Sequence, residues 1–212
     1  MDWVRPVCHE LGNLLAGIQL SGHFLGDPLA DRDRHQIAHE VQLLSAQAGA
    51  WVSLIRPLRM QKLLLGRVAP SELLAALRRR VDELLFRPEQ LKALKGHRLS
   101  DVRVDVDAVH QLLTLLVGSA LANGGAEIRM KLEAREQARH LVLIFSDSGP
   151  PLAPLGPTPA PRGRELALQV GNVVLRAAGG RLEVLPRKRG NRVELYLPRV
   201  SRRLPRGGAA AR

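Results

Sequence analysis

The stretch "PVCHELGNLLAGIQ", residues 6 to 19, sets His9 beside Glu10 and places Asn13 three residues after the glutamate. An imidazole nitrogen attacks a phosphoryl group when the other ring nitrogen gives up or shares its proton, and Glu10 is adjacent to take that hydrogen bond. Asn13 follows His9 by four residues, about one helical turn, where an amide can position a water. His9 precedes Leu11 by two residues, roughly 200° round a helix from it, which turns the imidazole away from an apolar stripe and toward solvent. A lone histidine there is an ordinary surface residue. Flanked by an acid and an amide at these spacings, it is a candidate phosphoacceptor, with His9, Glu10 and Asn13 as the working groups.

Those groups need a helix to carry them. Val4, Val7, Leu11, Leu14, Leu15, Ile18 and Leu25 recur at helical spacing, "GDPLADRD" interrupts the pattern, and Ile37, Val41, Leu44, Ala48, Val52 and Ile55 resume it. Pro57 predicts a break or a new start. Two helices joined by a short turn fold back as an antiparallel hairpin. Alone it buries little, so the pattern predicts a homodimer in which two hairpins form a four-helix bundle. Leu11, Leu15, Ile18, Ile37, Val41, Leu44 and Ala48 are then expected to be buried and His9 exposed.

The character changes after "LLLGRVAPSE". Ser71 or the proline before it opens a helix to about Leu85, "VRVDVD" alternates as a short strand, and "DAVHQLLTLLVGSALA" is a strongly apolar helix. "AEIRMKLEA" and "RHLVLIFSDSG" read as two strands joined by a polar turn, and the six prolines of residues 150–161 demand a loop. "GRELALQVGNVVLRAAGG" is a helix with a paired-glycine C-cap, and "RLEVLP" with "NRVELYLP" forms a hairpin around "RKRG". The expected class is α+β: a helical hairpin over 1–65, a mixed α/β layer domain over 66–198 and a basic tail over 199–212.

Composition narrows the partners. A chain of 212 residues with one cysteine, Cys8, has neither a disulfide framework nor a cysteine-rich metal site. No apolar run approaches the ~20 residues that span a bilayer, so no membrane partner and a cytoplasmic location are expected. The formal charge of +12 favours acidic partners, but its arginines sit in scattered clusters and only 3% of residues are aromatic. A stacking platform for single strands is therefore missing, and nucleic acid is not expected as the principal partner.

With these residues in place, the chain resembles bacterial two-component sensor histidine kinases over roughly residues 4–198. "HELGNLLAGI" is similar to their phosphoacceptor box, with Leu14 where proline is customary. By that resemblance His9 is the phosphoacceptor, Glu10 the neighbouring acid, and Glu10 with Asn13 the pair associated with dephosphorylating a response regulator. "DAVHQLLTLLVGSALANGG" resembles the helix of the metal-binding asparagine, "LVLIFSDSGPP" the strand and first glycine box, and "GRELALQVGNVVLRAAGG" the second glycine box. The resemblance implies a hairpin followed by a histidine-kinase (GHKL) ATPase-like sandwich.

The departures gather on the nucleotide. Ser119 stands where the metal-binding asparagine should be, and Leu115 where an earlier asparagine often is. Serine is a shorter and weaker ligand than an amide carbonyl. Asp147 and Gly149 are kept, but Pro151 replaces the next glycine. Gly163 survives, yet Glu165 stands where glycine would let backbone amides approach phosphates. Ser119, Asp147, Gly149 and Gly163 thus mark a vestigial ATP site beside a nearly whole phosphoacceptor box. The implied function is an ATP-independent histidine phosphotransferase that exchanges phosphoryl groups between His9 and aspartates of response-regulator receiver domains. It has no cofactor of its own, since magnesium would be carried by the receiver. The alternatives are an active ATP-dependent histidine kinase and a noncatalytic receiver-binding scaffold.

Overall fold

The apolar repeats of the N-terminal region form two helices, α1 (Val4–Phe24) and α2 (Asp31–Met60), in a computed structural model of the chain. It describes residues 4–25, 31–60, 63–82, 91–93, 99–124, 127–152, 163–185, 187 and 189–200. The turn expected around 26–30, the proline-rich loop beyond Leu152 and the tail from 201 lie outside them. Helices α1 and α2 pack along each other, with Gly17 against Leu44. Pro57 does not stop α2, contrary to expectation. A proline this near a helix end removes one ladder bond, and the turns before it are anchored in the core by Trp51 and Leu54.

Beyond the hairpin come β1 (Gly66–Val68), α3 (Pro70–Asp82), β2 (Leu91–Ala93), β3 (Val102–Val104) and α4 (Val106–Gly124). They are followed by β4 (Met130–Gln137), β5 (His140–Asp147), α5 (Gly163–Ala177), β6 (Arg181–Leu185) and β7 (Asn191–Pro198). The main sheet has the order β2-β4-β5-β7-β6, antiparallel except for the parallel β2–β4 edge, and β1 pairs with β3 separately. Asp105 caps α4: its Oδ1 accepts from the Ala108 amide at 3.0 Å, and its Oδ2 accepts from the Leu64 amide at 2.9 Å, tying the segment after the hairpin to the helix start. Helix α5 ends as its glycines predict. Gly179 takes φ +81°, and the Gly180 amide donates back to the Leu175 carbonyl at 2.8 Å.

One apolar core runs through both parts of the chain. The inward face of the sheet (Leu141, Leu143, Phe145, Val193, Leu195) joins Leu112, Leu116, Val170 and Val174 of α4 and α5, and Val7, Ala50, Trp51 and Leu54 of the hairpin belong to the same cluster. The hairpin therefore buries one side against its own α/β layer. The residues expected inside a bundle fare differently. Leu11, Ile18, Ile37, Val41, Leu44 and Ala48 are only partly covered, and Leu15 is 54% exposed. Leu11 packs against the main core and Leu44 against Gly17, whereas Leu15 stays open. Among the described residues no helix is long and apolar enough to cross a membrane.

The outward face of the sheet is closed by charge. Val142, Ile144 and Tyr196 form a small buried cluster beneath arginine side chains. Glu194, 1% exposed, accepts from Arg192 at 2.6 Å, from Arg135 at 3.1 Å and from the Tyr196 hydroxyl at 2.8 Å, while the Arg181 guanidinium lies 3.6 Å from the Tyr196 ring centroid.

Candidate functional site

Helix α1 separates the residues the sequence grouped. Neighbours on a helix point about 100° apart, and here His9 and Asn13 are exposed while Glu10 is half-buried. Glu10 lines a cavity of about 640 Å³ between the hairpin and the α/β layer, and no hydrogen bond joins it to His9. The expected Glu10 to imidazole contact is thus not made in this structure, because the hairpin docks with the Glu10 side of α1 facing α5.

The same cavity gathers much of the group that the resemblance assigns to a nucleotide. Leu115 and Ser119 reach it from α4, Gly149 and Pro151 from the segment after β5, and Gly163 and Glu165 from the first turn of α5. Gln47 and Trp51 of α2 complete the hairpin side. These two were not identified from the sequence, and neither was Asn123, one turn beyond Ser119. Asn123 lines the cavity and donates to the Ser119 carbonyl at 2.7 Å. Their presence follows from the docking of α2 on α4, where Gly118 permits close approach: a Cβ there would lie 2.5 Å from the Gln47 side chain.

Asp147 does not line the cavity. It lies beneath it, its side chain 0% exposed, and its oxygens are engaged from within the chain. Oδ1 accepts from the Gly149 amide at 2.9 Å and from Asn191 Nδ2 at 2.9 Å, and Oδ2 accepts from the Arg164 guanidinium. Asn191 also donates to the Pro150 carbonyl at 2.7 Å and accepts from the Leu152 amide at 2.6 Å, pinning residues 149–152 over the aspartate. Gly190, at φ +72°, permits this: a Cβ would sit 2.1 Å from the Asp147 carbonyl oxygen. Arg164 is itself 8% exposed, and its Nε has no acceptor among the described residues. The sequence offered one signal for it, a basic residue directly after Gly163 where only the glycine and Glu165 drew notice.

Among the described residues no three histidine, cysteine, aspartate or glutamate side chains gather as a metal site. No family model and no curated protein sequence matches the chain. Solved structures do. The Acinetobacter baumannii histidine kinase AdeS superposes with a TM-score of 0.56 at 17% identity, over 91% of this chain and 98% of that one. The nucleotide-free catalytic domain of histidine kinase ThkA gives 0.52 at 18% identity, over 64% and 97%. ThkA in complex with response regulator protein TrrA gives 0.55 at 15% identity, over 92% of this chain and 60% of that one. The chain therefore has the fold of these histidine kinases: a helical N-terminal region followed by the α+β architecture of their catalytic domains.

Proposed function

We propose that the chain is a histidine phosphotransferase of a two-component phosphorelay, passing phosphoryl groups between His9 and receiver-domain aspartates without using ATP. The observation that carries this reading is the internal engagement of Asp147. The carboxylate that the resemblance assigns to adenine is closed off by Arg164, Asn191 and Gly149. Glu165 brings negative charge to the cavity where a polyanion would have to lie. The residues present do not fit a bound nucleotide, while His9 stays exposed on α1.

In the forward step an unprotonated imidazole nitrogen of His9 attacks phosphorus. The bond between phosphorus and the receiver aspartate breaks, the aspartate leaves as a carboxylate, and the ring gives its extra proton to solvent. The face of α1 that carries His9 also carries Leu20 and Phe24, 61% and 45% exposed, which offers apolar contact to a receiver surface. That ThkA was solved with a response regulator is consistent with a receiver as partner. The stripe containing Val4, Leu15 and Val52, exposed by 68%, 54% and 55%, suits pairing with a second copy of the chain.

Calorimetric titration with ATP and magnesium, combined with a search for label on His9 from labelled ATP, tests the ATP-independent claim. Absence of saturable heat and of label is expected. Micromolar binding together with labelled His9 would make the protein a kinase.

A further inference from the structure

Helix α2 turns one stripe toward the α/β layer. Gln47, Ala50, Trp51 and Leu54 follow one another at helical spacing and share a face of the helix. Gln47 fixes the direction of that face, because its side chain occupies the space that a Cβ on Gly118 of α4 would need. Ala50, Trp51 and Leu54 are buried in one core with Leu112 and Leu116 of α4, and Val7 of α1 belongs to it too. The contact has a second attachment at the other end of α4. Leu63, beyond α2, packs against the same core, and the Leu64 amide donates to Asp105 Oδ2 at 2.9 Å. Asp105 and Gly118 lie about 20 Å apart along the helix at ~1.5 Å per residue.

A swing of the hairpin away from the layer would break the Leu64–Asp105 bond and return Val7, Ala50, Trp51 and Leu54 to water together. Each large, fully buried apolar side chain exposed in this way lowers the population of an open form by roughly 10-fold or more. We propose that the α2–α4 contact is a fixed joint: hairpin and layer act as one body, and His9 is displayed without a hinge movement between them. The joint itself does not rest on the phosphotransfer reading. Its consequence does: transfer is ungated by this chain, and its rate follows the phosphorylation of the receivers.

The test has two arms, both on the full chain with Cys8→Ser, which removes the only native thiol. In the first, Ala50→Cys places a thiol in the joint, and its labelling by a disulfide reagent is followed across urea concentrations. Labelling at least ~10³-fold slower than in the unfolded chain, and accelerating with urea in step with the loss of helical circular dichroism, is expected. Weaker protection, or a rate independent of urea, reveals a separate opening and overturns the joint. In the second arm Gln47→Cys is combined with Gly118→Cys. A Cβ at 118 lies 2.7 Å from Gln47 Cγ, so the two Cβ atoms come no further apart than the ~4.5 Å a disulfide allows. Receiver-to-His9 transfer by the oxidised protein should stay within ~3-fold of the reduced protein. A larger loss, restored by reduction, overturns the joint, as does failure of the thiols to join under oxidant. The second arm decides if Ala50→Cys fails to fold. No transfer in either redox form counts against the proposed function, and thiol protection then judges the joint alone.

Discussion

The Arg164 guanidinium donates to the Asp147 carboxylate in an ion pair whose side chains are 7% and 0% exposed. It joins the first turn of α5 to the end of β5, placing an internal cation on the last residue of that strand. Breaking such a pair leaves a buried charge without its counterion. Arg164→Ala should therefore lower stability by ~3 to 5 kcal/mol, and Arg164→Leu combined with Asp147→Asn should recover most of the loss. Urea denaturation of the three proteins is the check. A single variant that unfolds like the parent would show that the pair contributes little.

Tyr196 should report the state of the charged sheet face. Burial first, and then the Glu194 and Glu183 carboxylates near its hydroxyl, push its phenol up to about 12 from 10.0. The native chain then keeps a proton that the unfolded chain releases, so this contribution is complete below pH 10.0 and is lost as pH rises through about 12. It is the only tyrosine, so phenolate absorbance reads it directly. A midpoint near 12 in the native protein is expected, falling toward 10.0 on unfolding in urea. A native midpoint at the ordinary value would contradict the packing described.

Glu194 should act in the opposite direction, on the acid side. Burial alone would raise it, but the Tyr196 hydroxyl, Arg192 and Arg135 more than offset that and hold it below 4.5. Its contribution is present above pH 4.5 and is lost as pH falls through the lowered native value. Glu194→Gln should therefore flatten the acid limb of the stability profile, and an unchanged limb would count against this network.

The exposed stripe on the hairpin predicts association. Sedimentation of the parent chain should give a dimer, and Leu15→Glu, which sets a charge at a position 54% exposed within one chain, should give a folded monomer. A parent that sediments as a monomer at micromolar concentration would leave the stripe without its expected partner.

The parts of this molecule legible in the sequence are those whose signals are local. The periodicity of Leu112, Leu113 and Leu116 marks α4, and the paired glycines mark the end of α5. Strands β1 and β2 escaped notice because Gly66–Val68 and Leu91–Ala93 sit in stretches without alternation, whereas the equally short β3 lies in "VRVDVD", which alternates over six residues. The site was legible as types but not as partnerships. Asp147 stands out after "LVLIF", yet its partners Arg164 and Asn191 lie 17 and 44 residues further on, and only the closure of β5 on β7 and α5 brings them together. Glu10 was assigned to His9 by adjacency. Its place in the cavity depends on how the hairpin docks, and no single helix encodes that.

Glu10 should then matter modestly for accepting phosphate. A receiver supplies a reactive acyl phosphate and its own metal, so His9 needs mainly exposure and placement. General-base assistance is typically worth ~10²- to 10⁴-fold, and Glu10→Gln should slow transfer by less than ~10²-fold. Asn13→Ala should chiefly impair removal of phosphate from the receiver. Rapid-quench rates for both variants decide this; a Glu10→Gln loss equal to that of His9→Ala, with folding intact, would give Glu10 a larger part.

Transfer from a phosphorylated receiver tests the central claim most directly. Purified receiver domains carrying labelled aspartyl phosphate, mixed with the chain and magnesium in the absence of nucleotide, should place label on His9, with none on His9→Ala. Failure of every receiver in a broad panel to label His9, or undiminished labelling of His9→Ala, would contradict it.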